Sequence, residues 1–315
     1  FSTIFAVAAL AAMPSFAVAD ERPAQDNPDS VSLVGSIDDV RIIARQPKQH
    51  FGLRQQPISS SVLGEEQLQR ERIFSVKDLS AVMPNFYQPD YGSKMTSSIY
   101  VRGFGARIDQ PVIGLTVDGV PYLNKNNYDF DLFDVARVEL LRGPQSTLYG
   151  RNTMGGLVKV HTRSPFSYQG TDVKLSYGTK NNHRSASLTH YHRISERFAF
   201  SAGGYYEGAD GFFTNTHLNK KVDEIQAGGG RIRAIWFASD NWKFDFNVNY
   251  DYTDEGGYPY YYTGKLAGEE DRADLLDRIA YNRESSYRRS LLNTGLNIEH
   301  QAENFIFNAV TGFQH

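Results

Sequence analysis

Residues 139–156 read ELLRGPQSTLYGRNTMGG and bring Gly143, Pro144, Gly150, Gly155 and Gly156 close together. Glycines cluster where a backbone must turn sharply or approach another surface, and nucleotide-binding loops use them in that way. A phosphate loop needs Gly-x-x-x-x-Gly-Lys-Ser/Thr, and no such string occurs. Arg102-Gly103-Phe104-Gly105 starts like a dinucleotide fingerprint but lacks the third glycine and the acidic residue that closes a βαβ unit. The chain has no cysteine, which removes thiol catalysis, thiolate zinc sites and disulfides. His190 and His192 share one strand face, where two lumen or interface histidines fit better than haem ligation. No catalytic or metal-binding constellation is present, so the reading is of a binding protein without a cofactor and not of an enzyme.

The elements that carry these residues come in two styles. From 57 to 164 the pattern is mixed: a strand over Ile58–Leu63, a helix from about Glu65 to Gln69, and a second helix near Val76–Met83 stopped by Pro84. Strands follow near Ser98–Arg102 and Val112–Val117, with Asp118-Gly119 as a tight turn into Val120. Two more strands, Val135–Leu141 and Leu157–Thr162, bracket the glycine-rich stretch. Gly143 and Pro144 are expected to end one strand and open a short helix, with Pro144 at an early helical position. Gly150, Gly155 and Gly156 are expected where the chain passes close to a second surface, with Arg137, Glu139, Arg142 and Arg151 in charged contact with it.

Beyond residue 170 period-two alternation takes over. Trp242, Phe244, Phe246, Val248, Tyr250 and Tyr252 alternate with Lys243, Asp245, Asn247, Asn249 and Asp251. Strands are expected at about 171–179, 184–194, 197–208, 228–238, 242–254, 289–300 and 304–315. Tight links (195–196, 239–241, 301–303) alternate with long polar ones (209–227, 255–288), as in an outer-membrane barrel with short turns on one side. A soluble sandwich also alternates, but it does not segregate its links this way.

With 33 Lys+Arg against 36 Asp+Glu, the net charge of -3 gives no basic field for nucleic acid. Aromatics are plentiful (19 Tyr, 20 Phe), yet the mean hydropathy is -0.46. After the first twenty residues nothing approaches the roughly 18 apolar residues of a membrane helix. Residues 1–19 have an apolar run from Ile4 to Ala12 and end in Ala17-Val18-Ala19, which reads as a signal peptide truncated at its start. A polar linker follows, then the short segment Asp39-Val40-Arg41-Ile42-Ile43-Ala44.

SIYVRGFG at 98–105, GLTVDGVPY at 114–122 and VARVELLRGPQSTLYGRNTMGGLVKVHTRSP at 135–165 together closely resemble the plug domain of TonB-dependent outer-membrane receptors. The resemblance implies an α+β plug domain followed by an incomplete antiparallel transmembrane β-barrel, about seven strands of a barrel of roughly 22. The domains would be a signal peptide at 1–19, a periplasmic linker at 20–56, the plug at 57–165 and truncated first barrel strands at 166–315. It further implies a monomer in outer-membrane lipid that takes up a scarce large nutrient, foremost a ferric siderophore, then haem or cobalamin. A TonB-type protein would grip Asp39–Ala44 as the TonB box by β-augmentation. The apex residues Tyr87, Tyr91, Lys94, Arg107, Tyr122, Lys125 and Tyr128 would contact an anionic metal chelate. Arg102, Gly103, Arg142, Gly143, Pro144, Gly150, Gly155 and Gly156 would shape the plug. A glycan or oligopeptide importer of the same architecture, or a passive porin, is the alternative.

Overall fold

The structure, a computed structural model, describes residues 59–94, 97–108, 110–257, 259–261 and 278–315. The signal-peptide segment and the Asp39–Ala44 box lie outside these residues. Two sheets organise the rest, and both belong to one compact unit.

The first sheet has five strands. β1 (Ser59–Gly64), the edge strand, leads into a helix at Glu65–Arg70. That helix has Glu65 and Glu66 in its first turn and Arg70 in its last, as the helix dipole favours. The expected second helix is instead a 3-10 turn at Lys77–Ala81, its backbone secured where Asp78 accepts from the amides of Phe74 and Ser75. A small sheet follows, of β2 (Phe86–Tyr87), β3 (Tyr100–Val101) and β4 (Phe104–Gly105). β5 (Ile113–Val117), β6 (Val120–Tyr122), β7 (Val135–Arg142) and β8 (Gly156–Thr162) complete the five-stranded sheet in the order β1-β7-β8-β5-β6. Only β5–β8 is parallel.

Both tight turns are two residues long and left-handed. Arg102 and Gly103 have φ of 54° and 78°, and Asp118 and Gly119 have 49° and 82°, the requirement of a type I′ hairpin. The core of this domain is apolar: Val76, Leu79, Val101, Val138, Leu140 and Val158 are wholly buried. It contributes stabilisation at about 25 cal/mol per Å² of apolar surface removed from water.

The second sheet, here called the wall, has seven strands: β9 (Gly170–Gly178), β10 (His183–Ser195), β11 (Phe198–Ala209), β14 (Ile225–Ser239), β15 (Trp242–Glu255), β16 (Tyr287–Gln301) and β17 (Ile306–Gln314). A two-stranded ribbon, β12 (Thr214–Asn215) with β13 (Lys220–Lys221), stands in the link between β11 and β14. Wall neighbours are sequential and antiparallel, β9 and β17 form the two edges, and the sheet is open. The links at 196–197, 240–241 and 302–305 are tight and lie at one end, while those at 210–224 and 256–286 lie at the other.

The polarity of the wall is inverted. On β14 and β15 the buried face carries Arg231, Arg233, Lys243, Asp245, Asn249, Asp251 and Thr253, and the opposite face exposes Ile232, Trp236, Phe246 and Tyr250. A soluble sandwich would bury the second set. Aromatic rings cluster near the tight turns, where Trp242 stacks on Phe244 (5.9 Å) and on His300 (4.2 Å). Tyr252 lies ten residues further along β15. At about 3.4 Å per residue and a tilt of about 35–45°, that separation is roughly 25 Å, the height of a barrel's apolar band between its aromatic girdles.

Candidate functional site at the plug and wall interface

Three inward arginines of the wall hold the plug. Arg233 grips Asp245 of the next strand through Nε (3.0 Å) and Nη2 (2.7 Å). Its Nη1 donates to Thr162 Oγ1 (3.0 Å) and lies 3.3 Å from Asp118 Oδ1. Asp118 also accepts from the Thr162 amide (2.9 Å) and hydroxyl (2.7 Å). Burial alone would raise this carboxyl, but Arg233 and the Thr162 donors outweigh it and keep it below the usual carboxylate range. One turn of the pleat away, Arg231 pairs with Asp134, both side chains 3% exposed. Arg289 donates to the carbonyls of Asn126 (2.6 Å) and Asp129 (2.8 Å).

The wall also receives the β5–β6 turn sterically. Asn297 donates to the Asp118 carbonyl (2.7 Å), and Gln314 accepts from the Leu123 amide (2.9 Å). A Cβ on Gly295 would collide with Val120 Cγ2, and one on Gly312 would lie 2.9 Å from Val120 Cγ1. Val120 therefore occupies a slot that two wall glycines leave open.

These contacts correct the expected ones. Glu139 pairs inside the plug, 2.7 Å from Arg137, 3.4 Å from Lys159 and 3.3 Å from His161, because β7 and β8 set these side chains on one face. Arg142 donates to the Pro84 carbonyl (2.7 Å) and Ser61 Oγ (2.7 Å), again within the plug. Arg151 is exposed and forms no ion pair among the described residues. Gly155 and Gly156 are crowded by plug atoms, not by the wall: their Cβ positions would meet Ile113 Cδ1 at 2.7 Å and the Leu141 carbonyl at 2.8 Å. Gly143 (φ 97°) ends β7, and Gly150 (φ 74°) caps the short helix Ser146–Tyr149. Pro144 lies one residue before the N-cap Gln145 and not within the helix.

Among the apex residues, Tyr87 is exposed, and the Arg107 guanidinium stands 5.0 Å over the Tyr91 ring. Lys125 Nζ donates to the Arg107 carbonyl, so Tyr91, Arg107 and Lys125 come together. Lys94 is largely buried, 3.8 Å from Asp131. Tyr122 and Tyr128 belong to the core, 4% and 0% exposed. Tyr122 faces inward with the β6 alternation and packs on Phe130 at 5.5 Å, and Tyr128 is accommodated because its hydroxyl donates to the Tyr122 carbonyl (3.3 Å). Neither is free to contact a ligand. His190 and His192 stack at 5.9 Å on the outward face beside Phe200, which makes them interface and not lumen residues.

The arginine pairs have no local sequence signal, since Arg231 and Asp134 are 97 positions apart. Two inward arginines in successive positions of one alternating strand are the sign that could have pointed to them. At the long-link end, Glu255 of the wall accepts from Ser93 Oγ (2.7 Å) and the Lys94 amide (2.5 Å). The Tyr260 hydroxyl donates to the Tyr91 carbonyl (2.5 Å). A cavity of about 400 Å³ lies between plug residues 88–94 and the wall there.

Residues 52–157 match the family model described as TonB-dependent Receptor Plug Domain. The pesticin receptor of Yersinia pestis is 34% identical over 130 residues, 41% of this chain and 19% of that protein. The ferrioxamine B receptor of Salmonella typhimurium strain SL1344 is 28% identical over 269 residues, 79% of this chain and 35% of that protein. In fold, the ferric yersiniabactin uptake receptor of Yersinia pestis superposes with a TM-score of 0.68 at 23% identity, covering 82% of this chain and 40% of that one. The ferripyoverdine receptor of Pseudomonas aeruginosa gives 0.68 at 16% identity over 84% and 35%. The chain thus spans about a fifth to two-fifths of the length of the relatives it matches. A family match, an inside-out wall and a domain held by the wall's inward arginines converge: residues 52–157 are a TonB-dependent receptor plug domain, followed by an open antiparallel wall with the fold of the outer-membrane receptors it superposes on.

Proposed function

We propose that this receptor imports a ferric siderophore across the outer membrane, driven through a TonB-type protein. The observation that carries the reading is the clamp: Asp118 and Asp134 of the plug are buried against Arg233 and Arg231 of the wall. Breaking a buried ion pair by withdrawing one partner costs about 3–5 kcal/mol, so a plug held this way does not move aside for a diffusing solute. Work must be supplied, which separates the reading from a passive porin. Once the plug shifts, Arg231, Arg233, Asp245 and Asp251 would line a polar, hydrated path. A relative named for ferrioxamine B and solved structures named for ferric yersiniabactin and ferripyoverdine support a siderophore over haem, cobalamin, glycans or peptides.

The coupling segment is Asp39–Ala44, which would pair as an added strand with the TonB-type partner. The receptor acts as a monomer in outer-membrane lipid, and Tyr87, Tyr91, Arg107 and Lys125 present the outer surface of the plug. The test is uptake of radioiron chelates by iron-starved cells that carry the complete receptor. Val40→Pro and Ile42→Pro should abolish uptake and leave surface binding intact, because proline removes a strand donor. Unchanged uptake in both variants removes this segment as the coupling site. Uptake that persists without any TonB-type protein removes the mechanism.

A further inference from the structure

Besides the arginines, a tyrosine of the wall bridges to the plug. Tyr205 of β11 packs on Phe133 of the plug at 5.2 Å, and its hydroxyl donates to Asp251 of β15. The same hydroxyl lies within hydrogen-bonding reach of Asp131 of the plug. A phenol has one proton to give, and here Asp251 takes it. Asp131 can therefore bond to this oxygen only as a donor, with a proton of its own.

The surrounding charges point the same way. From the plug, Lys94 lies 3.8 Å from Asp131, and Asp129 is buried close by. From the wall come Glu207 of β11, which His183 of β10 meets at 3.1 Å, and Asp251, which Arg289 of β16 meets at 3.4 Å. Glu255 of β15 accepts from the Lys94 amide, and Arg231 of β14 is committed to Asp134. Lys94 and Arg289 thus face Asp129, Asp131, Glu207, Asp251 and Glu255, and the fully ionised set would carry surplus negative charge. Asp131 is poorly placed to bear it, because its Oδ2 is buried and accepts no hydrogen bond among the described residues. Burial raises its carboxyl, and although Lys94 pulls it down, Glu207, Asp251 and Asp129 push it further, to about 7.

We infer that Asp131 and Asp251 share one proton across Tyr205, so that this joint between plug and wall is closed by a proton and weakens when the proton leaves. With the proton in place, Asp131, Tyr205 and Asp251 form a continuous hydrogen-bonded tie. Without it, Asp131 confronts Glu207 and Asp251 as a like charge in a joint that excludes most water. The device does not depend on which solute is imported. An Asp131 freed by displacement of the plug titrates at about 3.9. Between that value and about 7 the seated plug holds the proton and the displaced plug does not. Each unit of rising pH in that window therefore favours displacement by up to about tenfold, and above it the effect is complete.

The test is the rate at which thermolysin cuts the plug of the complete receptor in outer-membrane vesicles, from about pH 5 to about pH 8. Wild type and Asp131→Asn are compared as a ratio at each pH, so that the protease's own profile and the receptor's other titrating groups cancel. Asparagine keeps a donor for the phenol oxygen and cannot ionise. The variant should match wild type at the acid end and be cut about tenfold more slowly at the alkaline end. Tyr205→Phe, which removes the bridge, should be cut faster than wild type at the acid end. Infrared spectra of the purified receptor at about pH 6 should show the C=O stretch of a protonated carboxyl that Asp131→Asn lacks. An Asp131→Asn plug cut faster than wild type at the alkaline end would make Asp131 the ionised partner of Lys94 and overturn the inference. A ratio that does not change with pH, a Tyr205→Phe plug as protected as wild type, or absence of the infrared band would overturn it as well. Each of these results leaves the uptake reading untouched.

Discussion

In β8 of the plug, Leu157, Val158 and Val160 are buried. In β15 of the wall, Lys243, Asp245 and Asn249 are buried, and Trp242, Phe246 and Tyr250 are exposed. Both regions are pleated strands, and both remove apolar side chains from water, but the plug does it against protein while the wall does it against lipid. The wall's polar half then becomes a lining that only a polar partner can match. That is why ion pairs join the two regions where an ordinary domain interface would use apolar contact.

The largest effect should come from cutting that joint. Arg233→Ala leaves Asp118 and Asp245 buried without their cation, at a cost of about 3–5 kcal/mol. The plug of the assembled receptor should become protease-sensitive. Combining Arg233→Met with Asp118→Asn and Asp245→Asn should recover part of the loss, since no uncompensated charge is then left buried. If Arg233→Ala alone leaves protection unchanged, the clamp does not hold the plug.

The inversion itself is tested at Ile232, which lies between Arg231 and Arg233 and faces outward, 52% exposed. Ile232→Arg should cost about 2–4 kcal/mol in assembly in lipid, although its neighbours on both sides are already arginines. Normal insertion of the variant, scored by heat-modifiable migration and surface yield, would mean that the outward face does not meet hydrocarbon.

A smaller effect is expected at the glycine slot. Gly295→Ala places a methyl on Val120, and overpacking of this kind costs about 1–3 kcal/mol. Adding Val120→Ala should restore the fit. If Val120→Ala fails to relieve it, the contact is not the cause.

Much of this arrangement was legible in the residues, and what was not has a physical reason. All seven wall strands and the Asp118-Gly119 turn follow from period-two alternation and the demand for left-handed φ, both of which are local. Strand ends differ by up to three residues, because pairing partners extend β14 to Ile225 and trim β17 to begin at Ile306. Tyr122 and Tyr128 look like loop aromatics until the β6 register turns one inward and a carbonyl satisfies the other. Glycines 155 and 156 signal a close approach, but only the fold identifies the partner as Ile113 and Leu141 instead of the wall. The clamp is the least legible part, because each arginine meets a carboxylate set by a separate sheet.

The smallest effect should separate the plug's own stability from the joint. Glu139 lies in β7, away from the wall, and its side chain is 5% exposed. Burial would raise its carboxyl, but the neighbouring His161, Lys159 and Arg137 outweigh burial and hold it well below the usual range. The folded plug therefore binds fewer protons here than the unfolded chain does. The contribution is complete above the unfolded value of about 4.3 and is lost as pH falls through the lower folded one. Glu139→Gln should cost about 1 kcal/mol at neutral pH, a modest figure because Arg137 is half exposed. The gap between wild type and variant should then close as the medium is acidified below about pH 4. Urea-dependent proteolysis of the plug in outer-membrane vesicles, repeated across that range, measures it. A gap that stays constant, or widens, would mean that the Glu139 carboxylate is not the group that stabilises β7 against β8.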